Sequence, residues 1–236
     1  MYEKNSGVGG TWFENRYPGC ACDVPSHNYV YSFEPKADFS SVYASSAEIC
    51  GYFEMFVQKY GLHKHIKESH IVENTRWMES DGTWEVKIKN LLTGESFYDS
   101  CNILVHACGY LNKPAWPNVP GLKDYKGVKL HTADYDESVS LEGKEVILIG
   151  AGSSAVQTLP AIQSIVKRVK IFIRSPVWVL PDIGTEAATF KSEELQKFKD
   201  EPHSLMEMRQ NNERTMNSIF SKYFWNMNFT ATTDAL

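Results

Sequence analysis

A chain of 236 residues with 42% hydrophobic and 22% charged residues is long and apolar enough to bury one or two cores, which excludes disorder over most of its length. A formal net charge of −5 supplies no basic field for a polyanion and excludes nucleic acid as a partner. The five cysteines, Cys20, Cys22, Cys50, Cys101 and Cys108, show no CxxC or metal-ligand spacing, and no leader or long apolar run stands out, so a reduced cytoplasmic protein without a membrane span is expected.

Met1-Tyr2-Glu3-Lys4 reads as the end of a strand. In dinucleotide-binding folds a strand that ends in an acid is the second one, and the glycine turn for the phosphates lies about 20 residues before it. The following run, Gly9-Gly10-Thr11-Trp12-Phe13-Glu14-Asn15-Arg16-Tyr17-Pro18-Gly19-Cys20-Ala21-Cys22-Asp23, therefore reads as the middle of a site. Residues 39–62 are expected to be helical, with Ser40 and Ser41 as caps, an apolar face of Tyr43, Ala47, Cys50, Phe53 and Val57, and Gly61 as the stop. Strand-like runs at 70–78, 83–89, 95–98 and 102–107, with turn signals Asp81-Gly82 and Thr93-Gly94, predict a small antiparallel meander. A connector punctuated by Pro114, Pro117 and Pro120-Gly121 leads through a polar link to Gly143.

Residues 144–149 form a continuous apolar run behind a polar start, the pattern of a fully buried parallel strand. A helix with Ala155, Leu159, Ile162 and Ile165 on one face and a second buried strand at 169–173 complete a βαβ unit over residues 144–174. Pro160 inside that helix predicts a kink. Beyond Arg174 a loop precedes a helical stretch over 192–225, and residues 226–233 cap nothing; the sequon at Asn228 reads as chance.

Gly150-Ala151-Gly152-Ser153-Ser154-Ala155 is a GxGxxA turn placed between strand and helix. The first glycine allows the tight turn, the second lets backbone approach a pyrophosphate, and the small last residue lets the helix pack on the strand. The next strand ends at Arg174 and Ser175, a cation and a hydroxyl where an NAD site would have an acid, so the 2′-phosphate of NADPH is expected there.

Gly9-Gly10-Thr11-Trp12 with Asn15, Tyr17-Pro18-Gly19 and Asp23, the later GxGxxA turn and Arg174 together resemble the type I Baeyer-Villiger monooxygenases of the flavin-containing monooxygenase superfamily. The family linker F-x-G-x-x-x-H-x-x-x-W followed by Pro or Asp is matched by Tyr125, Gly127, His131, Tyr135 and Asp136, with Tyr replacing Phe and Trp. Ala107-Cys108-Gly109 resembles the Ala-Thr-Gly strand end where these proteins cross between domains, and the resemblance thins after Pro181.

The resemblance implies an α/β fold, a partial two-dinucleotide-binding-domain flavoprotein. Its parts would be an incomplete FAD domain with the meander over 1–110, a linker over 111–143, and an NADPH-type βαβ start plus helical segment over 144–236. It implies that Glu3, Gly10, Thr11, Trp12, Phe13, Glu14, Asp23, Val24 and Tyr29 contact FAD. Ala21, Cys22 and Asp23 would border the nicotinamide, with Gly150, Gly152, Ser153, Ser154, Ala155, Gln157, Arg174 and Ser175 holding the rest of NADP. The implied reaction passes hydride from NADPH to FAD and uses molecular oxygen to convert a small or medium hydrophobic ketone into an ester or lactone, as in secondary metabolism. Asp23 matches the catalytic aspartate, whose partner arginine in the family has no counterpart in this chain. The alternative is a catalytically incompetent member that keeps at most a nucleotide site or an interaction role. Without a first strand beneath residues 9–23, weak FAD retention is expected. His63, His65 and His70 lack a supporting Cys or carboxylate pattern, so no metal is expected, and oligomeric state is not legible.

Overall fold

The computed structural model describes residues 1–177 and 189–220. They fall into two units, one of Met1–Ala21 with Ser45–Arg174 and one of Cys22–Ala44 with the described part of Ser175–Leu236. The architecture is α/β, with an antiparallel sheet and a parallel pair of strands.

In the first unit, helix α1 (Thr11–Glu14) is a single turn and α2 (Ser46–Lys59) is the long helix of the N-terminal half. Helix α2 begins later than expected, where the Ser45 side chain accepts from the Glu48 amide at 3.3 Å. Residues 40–44 stay outside the helix because their backbone is committed elsewhere: Ser26 Oγ donates to the Val42 carbonyl at 2.8 Å and accepts from the Ala44 amide at 2.7 Å. Gly61 follows the helix in the left-handed region, as its place in the sequence predicts. Ile49 and Tyr52 anchor the buried face at 0% and 1% exposure.

Strands β1 (His70–Met78), β2 (Thr83–Asn90) and β3 (Ser96–Cys101) form an antiparallel meander in that order. The central strand buries Val86 and Ile88, while Trp84 meets Trp77 edge to face across the β1 pairing at 5.6 Å. Two strand expectations fail here. Residues 102–107 are not a strand: no strand among the described residues pairs with them, and Ile103 and Val105 are 81% and 77% exposed. Tyr2-Glu3-Lys4 makes a single parallel bridge, Tyr2 to Lys67, in which the Lys67 amide donates to the Met1 carbonyl at 2.9 Å and the Glu3 amide to the Lys67 carbonyl at 3.0 Å.

Strand β4 (Glu145–Ile149), helix α3 (Ser153–Gln163) and strand β5 (Arg168–Phe172) form the expected βαβ unit, with β4 and β5 parallel from Glu145↔Arg168 to Ile149↔Phe172. The strands are not fully buried: Ile147, Ile149 and Phe172 are 61%, 51% and 57% exposed, since each strand has only one neighbouring strand among the described residues. Helix α3 runs on through Pro160 and buries Ile162, whereas Ile165 lies beyond its end and is half exposed.

The second unit centres on His27, which sits in a one-turn 3-10 helix (Ser26–Asn28) at 1% exposure. Its ring meets Phe39, Phe190 and Phe198 edge to face at 5.2, 5.4 and 6.0 Å. The single C-terminal helix expected from the sequence is two, α4 (Ser192–Asp200) and α5 (Pro202–Phe220). The break follows from Pro202, which disfavours helical backbone at Glu201, found at φ −123° and ψ 78°. Pro181, Trp225, Asn228 and the polar run at 226–233 lie outside the described residues. No helix among the described residues is long and apolar enough to cross a membrane.

Candidate cofactor site

The glycine turn between β4 and α3 has the geometry its composition predicts. Gly150 takes φ 116°, a region closed to most side chains, and its amide donates to the Phe172 carbonyl at 2.9 Å, tying the turn to the end of β5. Gly152 is extended and starts α3, and its carbonyl accepts from the Ala155 and Val156 amides at 2.9 and 3.1 Å. No side chain caps this helix, and a Cβ at Gly150 or Gly152 would meet nothing within 4 Å. The first-turn amides of Ser153 and Ser154 thus have neither an intrahelical acceptor nor a capping side chain, a donor set that suits a pyrophosphate. Arg174 and Ser175 follow β5, both exposed.

Gln157, on the second turn of α3, is turned to the loop over residues 17–21. Tyr17 Oη donates to Gln157 Oε1 at 2.7 Å, the Ala21 amide reaches the same oxygen at 3.5 Å, and Gln157 Nε2 donates to the Ala21 carbonyl at 2.9 Å. Gly19 approaches so closely that a Cβ would stand 2.5 Å from the Gln157 carbonyl oxygen and 3.0 Å from the Ala161 Cβ. With φ 78° as well, glycine is required there on two counts. Neither the partnership nor the close approach is readable from residues 136 to 140 positions apart.

At the N-terminus, Glu3 accepts from the Asn5 amide at 2.8 Å, while Glu14 holds Lys4 Nζ at 2.7 Å and Asn5 Nδ2 at 3.0 Å. Gly10 and Thr11 are exposed and Trp12 half-buried; the Phe13 ring packs against Gly7 and lies under the Arg16 guanidinium, 4.5 Å from its centre. Of the expected flavin contacts in the second unit, Asp23 is exposed and Val24 and Tyr29 are half-buried. Burial, helped by the negative charge of Asp23, pushes the Tyr29 phenol up to about 12, so it stays a neutral hydrogen-bonding group at physiological pH. Burial also raises the Cys22 thiol, which contacts Ser26 Oγ at 3.5 Å. This thiol is not a poised nucleophile.

The linker residues form two local turns. His131 Nδ1 accepts from the Ala133 amide at 3.1 Å and its ring meets Trp116 at 5.5 Å. Asp136 Oδ1 accepts from the Ser138 hydroxyl at 2.6 Å and amide at 2.9 Å, bonds that hold its carboxyl below the usual range. Burial raises the Tyr135 phenol. Gly127 lies against the Tyr125 ring.

His27 was invisible to motif reading. Its Nε2 and the Nη1 of Arg209 are buried without a hydrogen-bond partner among the described residues, and no sequence pattern around Pro25-Ser26-His27 signals it.

Comparison with known proteins gives the family. The profile of the Flavin-binding monooxygenase-like family matches residues 20–232. The FAD-binding monooxygenase tazF of Aspergillus terreus is 36% identical over 227 residues, 93% of this chain and 40% of that protein. A Baeyer-Villiger monooxygenase of Streptomyces coelicolor is 37% identical over 184 residues, 78% of this chain and 34% of that protein. Among solved structures, cyclohexanone monooxygenase from Rhodococcus sp. Phi1 bound to NADP+ superposes with a TM-score of 0.75 at 29% identity, covering 88% of this chain and 38% of that one. OTEMO in complex with FAD and NADP gives a TM-score of 0.74 at 28% identity, covering 84% and 38%. The chain thus spans 31% to 40% of the length of these curated relatives. With nine-tenths of its residues under one family profile, the chain belongs to the flavin-binding monooxygenase-like family.

Proposed function

We propose that this chain provides the cofactor-facing part of an FAD- and NADPH-dependent monooxygenase of Baeyer-Villiger type. The balanced reaction takes a hydrophobic ketone, O2, NADPH and a proton to an ester or lactone, NADP+ and water. The bound flavin and nicotinamide supply the redox chemistry. The chain's own residues bind and orient them.

The observation that carries this reading is the uncapped, open glycine turn between parallel β4 and α3. Gly150, Gly152 and Ala155 shape it, and the Ser153 and Ser154 amides face the pyrophosphate. Arg174 and Ser175 receive the 2′-phosphate. Glu3, with Gly10, Thr11, Trp12, Phe13 and Glu14, lines the FAD side, joined by Asp23, Val24 and Tyr29, while Ala21, Cys22 and Asp23 border the nicotinamide. The three-part division at 110 and 143 belongs to the same reading. Its support is the family membership, together with NADP+ in the Rhodococcus cyclohexanone monooxygenase structure and FAD with NADP in the OTEMO structure.

Calorimetric titration of the full chain with NADP+ and NAD+ tests the turn. NADP+ is expected to bind more tightly, and Arg174→Ala to weaken it by about 1.5 to 3 kcal/mol, the size of a charge-assisted bond, with NAD+ nearly unaffected. Equal losses for the two dinucleotides would refute the 2′-phosphate assignment.

A further inference from the structure

We propose that Gln157 is a positioning residue that ties the loop over residues 17–21 to helix α3, so that order in this loop and dinucleotide binding at the glycine turn form one linked equilibrium. The linkage rests on the functional reading above; the tie itself rests on geometry alone.

Three features converge on it. The carboxamide of Gln157 is used at both ends by the loop, with Oε1 receiving the Tyr17 hydroxyl at 2.7 Å and the Ala21 amide at 3.5 Å, and Nε2 reaching the Ala21 carbonyl at 2.9 Å. Gly19 lies flat on the backbone of the same residue, where a Cβ would stand 2.5 Å from its carbonyl oxygen. Tyr17 and Cys20 are buried at 7% and 8% exposure, so the loop is packed rather than draped. Gln157 stands two positions beyond Ala155, the last residue of the glycine turn, and the same helix α3 carries both. A displacement of the turn therefore moves the loop. If the dinucleotide binds the docked form better, undocking lowers its apparent affinity in proportion to the docked fraction, and by reciprocity the dinucleotide slows undocking.

A carboxamide facing the loop is a different role from a direct contact with the dinucleotide, and Tyr17→Phe separates the two. It removes one hydroxyl from the far side of the tie and leaves α3 intact. Hydrogen exchange at the amides of Gly19, Cys20 and Ala21, with calorimetric NADP+ affinity, is to be measured for the full chain, Tyr17→Phe, Gln157→Ala and the double variant. Exchange is expected to rise about tenfold in each single variant, NADP+ to bind several-fold more weakly in both, and the double variant to be no worse than Gln157→Ala, as for two ends of one interaction. NADP+ is expected to slow exchange in the unsubstituted chain and less so in the variants.

Unchanged exchange in both single variants would overturn the tie. Raised exchange with full NADP+ affinity in Tyr17→Phe would overturn the linkage, and a loss confined to Gln157→Ala would assign Gln157 to the dinucleotide itself. Failure of the unsubstituted chain to bind NADP+ would remove the functional reading and the linkage together, with the exchange results still deciding the tie. A global loss of structure is recognised by exchange rising equally at Val86 and Ile88 in the meander, and Gln157→Glu, which keeps Oε1 as acceptor and removes the donor to Ala21, then replaces Gln157→Ala; no local rise in exchange at residues 19–21 in Gln157→Glu overturns the tie.

Discussion

Strand β2 hides Val86 and Ile88 at 5% and 0% exposure, whereas β4, the more apolar of the two in sequence, leaves Ile147 and Ile149 at 61% and 51%. The difference lies in how the two sheets are completed. In the meander each strand's partner is next in the chain, so short turns deliver both the hydrogen-bond ladder and the covered face. Parallel strands are paired through a crossover, and their apolar character is matched to layers on both faces. The βαβ unit nonetheless forms its ladder and its glycine turn, because these depend on the Gly150 conformation and the β4–β5 register rather than on full burial.

The comparison breaks if stability does not follow burial. Ile88→Ala is expected to cost about 2 to 5 kcal/mol, the range for a truncated core aliphatic, read as a shifted urea midpoint with Trp77 and Trp84 as local fluorophores. His27 extends the test to the other unit. Burial, with the Arg209 and Lys36 charges adding and Asp38 opposing, lowers its pKa from 6.5 to about 4. A depressed folded pKa means that the unfolded chain binds the proton first, so stability is complete above pH 6.5 and is lost as pH falls from 6.5 toward 4. The loss is on the order of 3 kcal/mol, and His27→Gln, neutral throughout, is expected to flatten that part of the pH profile relative to the unsubstituted chain.

Smaller effects sharpen the contrast. Gly19→Ala meets both a positive φ and the Gln157 carbonyl, and about 1 to 3 kcal/mol of destabilisation is expected in thermal unfolding; a neutral result would mean that the loop does not lie on α3. Ile147→Ala, on the exposed side of β4, is expected to change stability by no more than about 0.5 kcal/mol. A loss there as large as that of Ile88→Ala would erase the distinction between the two sheets.

Much of the site was legible before any coordinates. The GxGxxA turn, its flanking strand and helix, and the three strands of the meander depend on residues close together in the chain, where glycine conformations and alternation are local signals. The errors share a cause. Residues 40–44 read as helix because their apolar spacing permits one, and they are non-helical because Ser26 claims their backbone. Residues 102–107 read as a strand by alternation, but a strand needs a neighbour and alternation does not provide one. The C-terminal stretch reads as one continuous helix because its charged periodicity runs across Pro202, where the chain breaks into two.

What the sequence determined by itself is the glycine turn between strand and helix and the family, since both rest on residue types at short spacing: Gly150, Gly152 and Ala155 for the turn, and Gly10, Trp12, Asp23 and His131 for the resemblance. What only the tertiary structure decided is who uses each side chain. The carboxamide of Gln157, at a position expected from sequence to face the dinucleotide, meets Tyr17 and Ala21, and His27, unremarkable in sequence, becomes the buried centre of an aromatic cluster. The reason is physical: a side chain's partner is set by which distant backbone folds against it.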